Sequence, residues 1–144
     1  MITLGTGLGS GIVVNGNLVY GHDGFAGEMG HTIVDPEGRK CACGRNGCLE
    51  TYVSAPGIKR TVFELLANET QNSELRKYSF ESLDSKLISD AANNGDEIAL
   101  KAFDYTGKIL GLKLADAVAH TSPEAIFLFG GLTKSCDFSN YTEN

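Results

Sequence analysis

The sequence has no apolar run near the length a transmembrane helix requires, and its first residues lack the layout of a secretory signal. The expected compartment is therefore the cytoplasm, with no membrane partner. Basic charge is scarce. Twelve Lys and Arg against 18 Asp and Glu leave a net charge of −6, which argues against nucleic acid as a partner, since phosphate binding needs a clustered basic surface. The closest basic group, Arg39-Lys40 with Arg45, lies among cysteines. Internal repeats and low-complexity linkers are also missing, so 144 residues are expected to form one domain with its own core. The four cysteines would suit a disulfide framework in a secreted protein. In a reducing compartment, three of them within eight residues suggest metal instead.

Glycine is abundant and unevenly placed. Of 18 glycines, twelve lie between Gly5 and Gly47, where positive φ and close backbone approach to a ligand become available. The first third of the chain therefore reads as turns and short strands. Ile2 to Gly9 is a strand entering a Gly-rich turn, Ser10 to Val14 a second strand and Asn17 to Tyr20 a third. Asn15-Gly16 supplies a hairpin turn between the last two. His31 to Val34 is expected as a fourth strand, and residues 35–50 as loop.

The remainder reads as helices. Ser54 caps a helix with Pro56 in its first turn and Ile58, Val62, Leu65 and Leu66 as its stripe. A second runs from about Glu81 to Asn94 and stops at Gly95. The third and longest starts at Asp96, with Gly107 and Gly111 one turn apart to admit a close neighbour. Ala125 to Phe129 is a short strand before Gly130-Gly131, and 134–144 is a polar tail expected to fray.

The chemistry concentrates in Cys41-Ala-Cys43-Gly44-Arg45-Asn46-Gly47-Cys48. Tetrahedral Zn²⁺ takes four N or S ligands, and Gly44 and Gly47 let the backbone fold so that Cys48 converges on the Cys-x-Cys pair. Three thiolates and one histidine form a closed structural set with no open position for water. On spacing, the fourth ligand is His31 or His22, and Cys136 is a bystander.

Two neighbouring patterns are familiar. Glu28-Met29-Gly30-His31 resembles the Glu-x-Gly-His signature of the ROK family of bacterial sugar kinases and related repressors. Cys41 to Glu50 resembles that family's Cys-x-Cys-Gly-x-x-Gly-Cys-x-Glu signature without a departure. The resemblance implies an α/β fold of the actin-like (ribonuclease-H-like) ATPase kind. Residues 1–133 would be its C-terminal lobe and 31–50 its zinc-binding loop.

It implies His31, Cys41, Cys43 and Cys48 as zinc ligands and Glu28, His31 and Glu50 as sugar contacts. His31 would use one ring nitrogen for each task. Gly5, Thr6 and Gly7 resemble the second phosphate loop of that fold, and Gly130-Gly131 its adenosine contact. The implied activity is ATP-dependent phosphorylation of a hexose, glucose first, with Mg²⁺ accompanying the nucleotide and a homodimer as the assembly. The rival readings are the effector domain of a ROK-type repressor and a degenerate sugar-binding module. The first phosphate loop and the catalytic aspartate of such kinases belong to an N-terminal lobe. Asp23 and Asp35, the early aspartates, lack the Asn-Asp context of that base. The expectation is a piece of a kinase that transfers no phosphate alone.

Overall fold

The computed structural model describes residues 1–134; most of the expected tail, and Cys136 with it, lies outside the described residues. β1 (Ile2–Leu4) and β2 (Leu8–Ser10) pair antiparallel around Gly5–Gly7, with Leu4 opposite Leu8 and Ile2 opposite Ser10. The turn is tighter than the sequence suggests, because Gly5 N–H donates to the Gly7 carbonyl and β2 begins already at Leu8. A separate hairpin joins β3 (Val13–Val14) to β4 (Asn17–Leu18), turning through Asn15 and Gly16, both at positive φ. That is the geometry an Asn-Gly pair favours.

Three helices follow. In α1 (Ala55–Asn68) the Ser54 hydroxyl accepts from Gly57 N–H, and Pro56 occupies the first turn, where its missing N–H costs nothing. α2 (Ser85–Asn93) is capped by Asp84 through Leu87 N–H. α3 (Glu97–Thr121) is capped by Asp96, whose carboxylate also accepts from Ser73 Oγ and Glu74 N–H. β5 (Leu128–Phe129) returns beside β1 in parallel, giving the sheet order β2-β1-β5.

The core lies between this small sheet and the helices. Leu4, Leu49, Val53, Ile58, Val62, Leu75, Ile88, Ile98 and Ala102 are all essentially inaccessible. Each large aliphatic side chain stabilises by ~1.5–3 kcal/mol on full burial. The helical face is thereby fixed under β1, and the open end of the sheet carries the glycine turn.

Several expectations are corrected. Met29–His31 is a 3-10 turn rather than the start of a strand, and only Ile33 bridges, to Cys48. Val34 N–H to Gly47 O and Leu49 N–H to Thr32 O flank that bridge, and the pairing goes no further, with Gly47 at positive φ on the partner segment. α2 starts at Ser85, four residues later than expected. Ser79 and Ser82 exchange side-chain and backbone hydrogen bonds that hold 79–82 as a turn. Short 3-10 turns at Leu49–Thr51 and Glu74–Lys77 were not anticipated. A Cβ on Gly111 would meet nothing within 4 Å, so no close neighbour requires that glycine, while Gly107 is buried. The outer faces of β3, β4 and α3 leave Val13, Val14, Leu112 and Val118 exposed. Among the described residues, no helix is long and apolar enough to cross a membrane.

Candidate metal and ligand site

The loop between β4 and α1 folds back so that His31, Cys41, Cys43 and Cys48 present four ligand atoms within 4.8 Å of one another. Cys43 and Cys48 sulfurs lie 3.5 Å apart, and Cys41 Sγ is 3.8 Å from His31 Nδ1. Zn–S bonds of 2.3 Å at a tetrahedral angle place sulfurs about 3.8 Å apart. The donor set and its spacing fit a zinc ion. His22 is excluded from the cluster: it sits on the surface against Asp23.

Backbone geometry builds the loop. Cys41 N–H donates to Arg45 O and Gly44 N–H to Cys41 O, closing the Cys-x-Cys turn. Gly47 has a φ of 69°, and a Cβ there would overlap the Asp35 carbonyl, so only glycine lets the chain pass. Arg39 anchors the whole from beneath. Its guanidinium donates to Thr51 O, Gly57 O, Thr61 Oγ1 and the Glu64 carboxylate, and stacks 4.5 Å from the Tyr52 ring centroid. The Tyr52 hydroxyl accepts from Arg39 N–H. Sequence reasoning missed this residue, counting it only among scattered basic charges. Its position two residues before Cys41, inside an otherwise polar loop, was the available signal.

The thiols are not equivalent. Burial pushes Cys41 up to about 12 and also raises Cys48. Cys43, on the surface, is lowered to about 6, chiefly by a hydrogen bond from the Arg45 backbone and then by the Arg45 side chain. The Cys41 thiol donates to Glu50 Oε1 at 3.1 Å. His31 Nδ1 lies 3.8 Å from that same oxygen.

One cleft of about 450 Å³ gathers the residues singled out by sequence. Gly5, Thr6, Gly7 and Gly130 line it beside Glu28, His31 and Glu50. Gly130 follows β5 with a φ of 119°, where a Cβ would overlap Leu4 O, so it brings the β5 end hard against the turn. Gly131 is not in the lining; it opens a 3-10 turn, Gly131–Lys134, behind the rim. Thr3 and Gly9 also line the cleft and were missed. Their outward position on β1 and β2 was readable once the strands were placed. Gly30 is buried, and a Cβ there would overlap Leu8 O, so the turn carrying Glu28 and His31 lies directly on β2.

A glycine turn closing one end of a mixed sheet, with two carboxylates and a four-donor cysteine–histidine loop beside it, is an arrangement of the actin-like sugar kinase fold. The chain belongs to the ROK family, whose profile matches residues 1–143. It is 41% identical to a glucokinase of Halalkalibacterium halodurans, over 95% of this chain and 42% of the relative. It is 34% identical to the DNA-binding transcriptional dual regulator NagC of Escherichia coli, over 94% of this chain and 32% of that protein. Among solved structures, a ROK family glucokinase from Streptomyces griseus, in complex with glucose and AMPPNP, superposes with a TM-score of 0.84. It shares 35% identity and covers 95% of this chain and 45% of its own. The chain thus spans less than half the length of the relatives it matches.

Proposed function

We propose that these residues form the C-terminal, sugar-facing lobe of an ATP-dependent hexose kinase of the glucokinase kind. The observation that carries this reading is the single cleft in which the glycine turn and Gly130 stand beside Glu28, His31 and Glu50. Carboxylates are paired acceptors suited to vicinal hydroxyls, so Glu28 and Glu50 accept hydrogen bonds from the sugar. His31, with Nδ1 toward the thiols, presents its remaining ring nitrogen to the same sugar. In the same cleft, the backbone of Gly5, Thr6 and Gly7, with the Thr6 hydroxyl, meets phosphate oxygens of ATP accompanied by Mg²⁺. Gly130 borders the nucleotide. His31, Cys41, Cys43 and Cys48 would hold Zn²⁺, which would supply a structural anchor for the loop that carries Glu50. Apolar residues left open on α3, Leu100 and Leu112 among them, suit a homodimer.

A second reading, the sugar-sensing domain of a repressor, is favoured by the 34% identity to NagC. The test is Glu28→Gln in the full-length protein. A kinase of this design loses sugar affinity, about 1.5–3 kcal/mol for a charge-assisted hydrogen bond, and keeps its ATP KM. A full-length protein that binds DNA and turns over no sugar moves the assignment to the regulators. An ATP KM that rises while the sugar KM stays fixed gives Glu28 another role.

A further inference from the structure

Glu28 is the one cleft carboxylate whose position nothing yet explains. It is exposed, and no hydrogen bond or ion pair of its side chain is seen among the described residues. Its placement must come from its own backbone. That backbone is an inverse γ-turn: Glu28 has φ −70° and ψ 61°, and Met29 N–H donates to Gly27 O at 2.7 Å. A turn of three residues with one hydrogen bond holds poorly in water, so a second contact is needed to keep it.

Ser10 supplies that contact. Its hydroxyl donates to Gly27 O and accepts from Met29 N–H at 2.9 Å. One side chain therefore grips both peptide groups that flank Glu28, and they are the acceptor and donor of the γ-turn itself. Ser10 ends β2, opposite Ile2 of β1, so the grip is made from the rigid sheet. Among side chains of this size, only a hydroxyl both donates and accepts in this way. Alanine would leave Gly27 O and Met29 N–H with the γ-turn bond alone. The turn would still be tied down at Gly30 and through His31 N–H to Glu28 O, so the segment stays folded while the carboxylate loses its aim.

We propose that Ser10 is a positioning residue for Glu28, holding that carboxylate toward the ligand in the cleft; the inference rests on the sugar reading above. It predicts that sugar affinity depends on a residue that touches no sugar.

The experiment is glucose titration of the ¹⁵N-labelled chain supplied with Zn²⁺, together with amide hydrogen exchange. Ser10→Ala, Ser10→Thr and Glu28→Gln are run beside the parent chain. Ser10→Ala should weaken glucose about fivefold to tenfold, as expected for one or two lost neutral hydrogen bonds. It should deprotect the Met29 amide while Ile58 and Leu110 in the core keep their protection. Ser10→Thr keeps the hydroxyl on a strand that tolerates β-branching, and should bind within about twofold of the parent. Parent-like affinity in Ser10→Ala overturns the proposal, and so does a loss accompanied by deprotection of the core, which would make Ser10 merely structural. A different failure falls on the sugar reading: glucose that shifts nothing in the parent, or that binds Glu28→Gln as well as the parent.

Discussion

Glu50 joins the metal loop to the cleft: its Oε1 accepts from the Cys41 thiol at 3.1 Å, while a Cβ on Gly7 would meet Oε2 at 3.2 Å. One carboxylate thus faces a proposed zinc ligand on one side and the glycine turn on the other. Metal binding requires Cys41 as the thiolate, which removes the proton that Glu50 accepts. Oε1 is then free for another donor, and a sugar hydroxyl is the donor the cleft would bring.

Metal affinity should therefore carry a steep pH dependence. Cys43, lowered to about 6, is already a thiolate at pH 7 and releases nothing there. Cys41, raised to about 12, and Cys48, also raised by burial, are still thiols and each gives up a proton on binding. Between pH 7 and 8 the apparent zinc affinity should rise about a hundredfold from these two groups, and the slope should steepen below pH 6 as Cys43 protonates. Competition against a chelator of known pH dependence measures it, with one Zn²⁺ per chain as the endpoint. A flat profile would show that the thiols are not the ligands.

Two glycines in the loop separate conformational cost from steric cost. Gly44, at φ 90°, has nothing within 4 Å of a Cβ. Gly44→Ala should cost only the left-handed backbone penalty, about 1–2 kcal/mol. At Gly47 the same substitution meets the Asp35 carbonyl as well, so the chain at Cys48 must move. Gly47→Ala should lose metal at a chelator concentration that leaves Gly44→Ala loaded. Equal retention in the two variants would mean that the Asp35 contact does not shape the site.

Arg39 offers a test of how the loop is held to α1. Arg39→Ala removes four sets of hydrogen bonds and the Tyr52 stack from a guanidinium that is largely buried. A loss of about 2–4 kcal/mol in urea denaturation is expected. Arg39→Lys should recover little, because an ammonium cannot reproduce the planar fork. Glu64→Gln should cost under about 1 kcal/mol, since that carboxylate is 58% exposed and its ion pair is screened. Similar costs for the arginine and glutamate variants would show that the ion pair, rather than the backbone contacts, carries the anchor.

The helices and the convergence of His31 with the three cysteines were legible in the sequence because each is encoded locally. Ser54 and Asp96 cap where they should, and Asn15-Gly16 turns the hairpin. The candidate ligand residues announce themselves by spacing and by resemblance. What the sequence concealed depends on contacts across the chain. Residues 31–34 read as a strand but form a single bridge, Ile33 to Cys48, flanked by Val34 N–H to Gly47 O and Leu49 N–H to Thr32 O. Arg39 looks like surface charge until Thr51 and Gly57 are brought over it. Ser10 looks like one more small residue in a glycine-rich run until Gly27 and Met29 fold onto it.

These 144 residues alone should transfer no phosphate. Phosphoryl transfer needs a group to accept the proton of the attacking hydroxyl, and general-base help is worth about 10²–10⁴-fold. Among the described residues, the carboxylates lining the cleft are Glu28 and Glu50. Both are proposed as sugar contacts. Asp23 sits on the surface against His22, and Asp35 accepts from Glu37 N–H beneath Gly47, so neither lines the cleft. A coupled assay with ATP, Mg²⁺ and a panel of hexoses should read at background. Turnover of about 1 s⁻¹, the low end for kinases, would place the base within these residues. Glu28, exposed in the cleft without a partner among the described residues, would then be the first to substitute, ahead of either aspartate.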